Sequence, residues 1–126
     1  MTATLTPLVV VAVLVAGAIG SLLRYALSRA LPVRPGHLPG GVLLVNVIGS
    51  GVAGALIGLA ERAALDGDLR LVLVTGFCGG LTTFSTWSVE TIELVDGGRW
   101  RAATLNIIVT LALGLAAAAG AYLLAR

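Results

Sequence analysis

The run LRLVLVTGFCGGLTTFSTWSVETIELV, residues 69–95, decides how this chain is read. It is long enough for one membrane-spanning helix, which takes about 20 mostly apolar residues. Its middle does not suit a plain one. Gly76, Gly79 and Gly80 weaken a helix there. Five hydroxyl residues then fall within Thr82–Ser88, with Phe84 and Trp87 set among them. Non-helical backbone at membrane depth persists only where protein or a cavity satisfies its polar groups. The stretch predicts a span broken near its middle, at Gly-Gly-Leu-Thr. Such a break frees carbonyls at the end of one half and N–H groups at the start of the other. Those two ends attract a cation and an anion respectively. Phe84 and Trp87 lie three apart, so they share a face of the second half. Their ring edges carry partial positive charge.

The rest of the chain supports a bilayer as the solvent. It has 126 residues, 58% hydrophobic and 11% charged, with mean hydropathy +1.04. Soluble domains carry about 25% charged residues. All eight basic residues are Arg, and six carboxylates leave a net charge of +2. A nucleic-acid partner needs a basic patch or stripe, which this balance excludes. One Cys and one His make neither a zinc site nor an internal disulfide. Cys78 reads as a small buried hydrophobe. The first apolar run, PLVVVAVLVAGAIGSLL, has no Lys or Arg ahead of it and exceeds a signal-peptide core, so it reads as a retained span.

Four apolar blocks follow one another, at about 7–30, 40–60, 69–95 and 100–125. They form a single integral membrane domain, all-α, with four transmembrane helices. The connections LPVRPGHLPGG, ERAALDGDLR and VDGGRWR are short and rich in turn residues. Each helix therefore runs antiparallel to the next. Arg62, Arg70 and Arg126 fall on one side, and Arg29, Arg34, Arg99 and Arg101 on the other. So small a bias is compatible with one fixed topology and with dual topology alike. In the second block Ser50, Gly54 and Gly58 recur every four residues, a small-residue face for close packing within or between chains.

Polar residues inside the blocks are the informative ones, because burying them without partners is costly. Asn46 reads either as a helix–helix hydrogen bond or as an amide lining a path. Arg24 either snorkels to the headgroups or lends a vestibule a positive field. Asn106, Thr110 and Gly114 share one face of the fourth block by their spacing, which suggests a polar track. Glu90 is the deepest carboxylate. No catalytic constellation is present, so the chain does not read as an enzyme.

The motifs GAIGSLLRY, VNVIGS and GFCGGLTTFSTWSVE closely resemble the small fluoride channels, the Fluc or CrcB-like family, over essentially the whole chain. The resemblance implies an antiparallel dual-topology dimer of four-helix subunits with two pores. It implies passive, fluoride-selective export across the plasma (inner) membrane, which relieves fluoride toxicity. Asn46 is then a pore-lining fluoride ligand, and Phe84 and Trp87 occupy an aromatic box. Thr83 and Ser85 belong to the hydroxyl-rich break, and Thr110 to the fourth-helix polar track. Arg24 is the vestibule arginine, and Glu90 an acidic position near the pore. The backbone carbonyls of Gly79 and Thr82, from both subunits, hold a structural Na⁺. The chain departs from the pattern at two places. Trp87 stands where a second Phe is usual, and Asn106 where Tyr is frequent, which puts pore dimensions and rate in question. The partner is then a second copy of the chain, or a paired paralogue.

Neutral donors suit fluoride, which holds its water tightly and must be released as well as bound. Two other readings compete. A small dual-topology cation exporter would need an intramembrane carboxylate, and the first block has none. A non-transporting scaffold would explain the Ser50–Gly54–Gly58 face but not the aromatic and hydroxyl cluster.

Overall fold

The computed structural model describes residues 3–126. Helix α1 is Pro7–Ala30 and α2 is Gly40–Glu61. Helix α3 is continuous through three pieces: Gly67–Arg70, a π-helical Leu71–Cys78, and Gly79–Leu81. Helix α4 is Phe84–Asp96 and α5 is Trp100–Ala125. Helices α3 and α4 together make one span, Gly67–Asp96, the least apolar of four that are long and apolar enough to cross a membrane.

Local chemistry sets the ends. The Thr6 hydroxyl accepts from Val9 N–H at 3.3 Å, and Pro7 follows it, where its missing N–H costs nothing. The Asp66 carboxylate accepts from Asp68 N–H at 3.0 Å and starts α3. Gly97 N–H returns to Glu93 O, and Gly98 takes φ +74°, so α4 stops and reverses into α5.

In a bilayer, lipid is as apolar as leucine, so helices associate through close contact and hydrogen bonds. The interior reflects this. Val42, Val45, Leu81 and Ala103 are buried, while Leu14, Leu22, Ile108 and Leu115 face outward. Helix α2 lies along α5, and α1 lies along α3. A Cβ on Gly54 would fall 2.9 Å from the Ala118 Cα, and one on Gly58 would fall 2.7 Å from Tyr122 O. The small-residue face of α2 therefore packs inside this chain, against α5. A Cβ on Gly80 would strike the Gly17 backbone, and one on Gly76 would lie 2.8 Å from Val13 O. These glycines seat α3 on α1.

The break falls at the Thr end of the expected Gly-Gly-Leu-Thr stretch, not at its glycines. The backbone stays helical through Gly79 and Gly80, then extends at Thr82 (ψ 157°) and Thr83 (φ −148°, ψ 126°). Packing explains the difference. Gly80 is spent on approach to α1, and nothing pulls the chain out of the helix until Thr83.

Candidate functional site

What pulls Thr83 out is Asn46 on α2. Its Oδ1 accepts from Thr83 N–H at 2.8 Å, and its Nδ2 donates to Thr83 O at 3.1 Å. One side-chain amide thus satisfies both backbone groups of one extended residue. Two partly buried backbone groups at this depth would otherwise each cost about 1–3 kcal/mol. Arg24 approaches from α1, and its Nη1 donates to Thr82 O at 3.1 Å. Half-buried, this guanidinium turns to the break. The Thr83 hydroxyl caps α4 by accepting from Thr86 N–H at 3.2 Å, and it also meets Ser85 Oγ at 3.2 Å.

Above the break opens a cavity of about 490 Å³. The broken span lines it with Thr82, Thr83, Phe84 and Trp87. Helix α2 adds Asn46 and Ser50, and α5 adds Thr110 and Leu111. The lining contains no ionisable side chain. Phe84 and Trp87 rings lie 5.4 Å apart between centroids, tilted at 55°. Phe84 is 76% exposed, so its face opens away from the rest of the subunit.

Most hydroxyls here satisfy themselves on their own helix, as membrane Ser and Thr usually do. Thr82 donates to Cys78 O, Ser88 to Phe84 O, Thr91 to Trp87 O and Thr104 to Trp100 O. Thr110 does not. It is 8% exposed, and its Oγ1 has no partner among the described residues. Trp87 Nε1 is likewise buried without one, as is Glu90 Oε2. Buried polar atoms are ordinarily paired, so these three stand out. Trp87 and Thr110 both line the cavity, and an indole N–H can only donate.

The expected site residues therefore divide. Asn46, Thr83, Phe84, Trp87 and Thr110 meet at one cavity. Arg24 and Ser85 contact the break beside it. Asn106 stands outside the lining: it is 2% exposed, and its Nδ2 donates to Thr91 Oγ1 at 3.1 Å. Ser50 is the lining residue that sequence reasoning assigned to packing alone. Its signal was its place four residues after Asn46, one turn along the same face. Thr91 was passed over as well. It lies four residues after Trp87 and takes the Asn106 amide.

A family model for CrcB-like proteins, described also as Camphor Resistance (CrcB), matches residues 11–122. The chain belongs to the CrcB-like family. Among CrcB-like relatives, a protein of Serratia proteamaculans is 40% identical over 114 residues, covering 90% of each chain. One from Roseiflexus is 46% identical over 109 residues, covering 85% of this chain and 88% of the relative. One from Methanocaldococcus jannaschii is 46% identical over 95 residues, covering 75% and 76%. All three are described as the fluoride-specific ion channel FluC. This CrcB-like chain is an integral membrane protein of four spans, as its composition and run lengths require, with the third one broken at Thr82–Thr83.

Proposed function

We propose that the chain is a fluoride-selective channel, letting fluoride leave the cytoplasm passively across the plasma membrane. The observation that carries this is the charge-free cavity at the helix break, lined by Trp87 and Thr110, whose buried donors have no acceptor among the described residues. Fluoride accepts hydrogen bonds and donates none. The Asn46 amide has two hydrogens and gives one to Thr83 O, which leaves one for an anion. Thr110 offers its hydroxyl, Trp87 its N–H, and the Phe84–Trp87 pair its ring edges. No full positive charge lines the cavity, so binding stays weak enough for release. Arg24 is held at Thr82 O and contributes a positive field at one side.

The working unit is an antiparallel dual-topology homodimer. Gly79, Phe84, Ser85 and Thr86 are exposed at the break, and a second copy would complete that face. The donor set at the break fits a structural Na⁺, a hard cation that takes oxygen ligands. Thr83 N–H turns to Asn46, so it no longer closes the helix onto Gly79 O. Thr82 O gives one lone pair to Arg24 and keeps another. Gly79 and Thr82 carbonyls would hold the ion, and the ion would supply charge to bind the breaks of two subunits.

The test is efflux from liposomes carrying the purified protein, read with fluoride and chloride electrodes. Fluoride should leave rapidly while chloride stays. Equal loss of both anions, or retention of both, would refute the channel.

A further inference from the structure

Asn106 is buried on α5, outside the cavity, yet it is tied to a residue that lines it. Its Nδ2 donates to Thr91 Oγ1 at 3.1 Å. Thr91 has one hydroxyl proton, and that proton goes to Trp87 O at 2.7 Å. The direction of both bonds is thereby fixed, since an amide nitrogen only donates. Among the described residues, this is the one side-chain hydrogen bond that joins α4 to α5. Helix α4 is otherwise sparsely held. Phe84, Val89, Ile92 and Val95 face outward, and only Thr91 and Leu94 are buried on it.

We propose that Asn106 is a positioning residue, which fixes the aim of Trp87 through Thr91. The aromatic half-helix is then held by two amides. Asn46 fixes its start at Thr83, and Asn106 fixes it at Thr91. Phe84 and Trp87 fall between the two fixed points. The Trp87 side chain swings about a backbone whose carbonyl is the end of the Asn106–Thr91 relay. A Trp needs such restraint more than a Phe does, because its N–H lies to one side of the ring and serves an acceptor only when aimed. Asn106 touches no anion in this scheme. It decides where the Trp87 donor and ring edge stand. The inference rests on the channel reading for its consequence, but its geometry stands independently.

The experiment uses the full chain with Trp100→Phe, which leaves Trp87 as the single tryptophan of two. Trp100 is exposed at the start of α5, away from the cavity. In this parent, Asn106→Leu removes the donor at similar size, Thr91→Val removes the relay, and Thr91→Ser keeps the hydroxyl. Two quantities are read: Trp87 emission and its quenching, and fluoride efflux from liposomes. Asn106→Leu and Thr91→Val should each shift Trp87 emission and slow efflux about three- to fivefold, the scale of one lost membrane hydrogen bond. The double variant should lose no more than the larger single loss, and Thr91→Ser should match the parent. Unchanged Trp87 emission in Asn106→Leu would overturn the proposal, as would losses that multiply in the double variant. If Asn106→Leu does not fold, Thr91→Val against Thr91→Ser reads the same relay. If the parent conducts no fluoride, the channel reading fails, while coupled emission shifts still support the positioning role.

Discussion

The two halves of the third span share one apolar stretch of sequence but are held by opposite means. Helix α3 has glycines where it meets α1, and backbone rests on backbone there. Helix α4 buries only Thr91 and Leu94, and side-chain amides reach it, Asn46 at Thr83 and Asn106 at Thr91. The first half is a base packed backbone to backbone, and the second carries the aromatic pair. Glycine next to a break therefore does not mean that glycine makes the break. Here the glycines seat α3 closely against α1, and an amide from α2 draws the chain out beyond them.

Four substitutions would break or sharpen this contrast. The largest effect belongs to Asn46→Leu. Both Thr83 backbone groups lose their partner, at about 1–3 kcal/mol each. Fluoride efflux should fall by well over tenfold, and Thr83 amide exchange should rise by orders of magnitude. An amide that stays protected without Asn46 would show that something else holds the break.

Next come the adjacent glycines, which should part company. A Cβ on Gly80 meets the Gly17 backbone, with the Cα at 3.0 Å, while one on Gly79 meets only Val74 O at 3.9 Å. Gly80→Ala should destabilise the subunit by about 1–3 kcal/mol, the usual scale of overpacking. Gly79→Ala should shift it by under about 0.5 kcal/mol. Reversible unfolding in mixed detergent micelles measures both. Equal sensitivity at the two positions would remove the distinction between a packed base and an open face.

The smallest effect on stability, though not on transport, is expected at Thr110. Its hydroxyl is buried and unpaired, so Thr110→Val removes a desolvated group and leaves the fold as stable or slightly more so. Efflux should nevertheless slow severalfold. A variant that loses stability and keeps its flux would mean that Thr110 is a structural residue.

Much of the fold was legible because the signals behind it are local. The turn-rich connections LPVRPGHLPGG, ERAALDGDLR and VDGGRWR lie directly between the helices they bound. The cavity was legible in outline, since hydroxyls and aromatics cluster in one heptad and Asn46 stands alone among Val and Leu. The polar face of α5 was not. Spacing placed Asn106 and Thr110 together, yet Thr110 lines the cavity and Asn106 reaches α4. Spacing by four gives a common face, but a helical face is wide enough to meet two neighbours. The glycines of α3 misled for a related reason. A helix-weakening residue and a close-packing residue are the same residue until its neighbour is known.

By itself the sequence determined four membrane spans, an interruption in the third, and a set of neutral donors near that interruption. Composition and run length suffice for the spans, and the glycine and hydroxyl cluster over 76–88 for the interruption and its donors, because a bilayer admits only backbone that satisfies itself. Tertiary structure alone decided which residue leaves the helix and what holds it. Asn46 reaches Thr83 across 37 residues, Arg24 reaches Thr82 across 58, and Asn106 reaches Thr91 across 15. Each of these bonds depends on how closely two helices approach. For Arg24 and Asn46 that distance is set by glycines far apart in the chain, Gly20 and Gly80 between α1 and α3 and Gly49 beside Thr82.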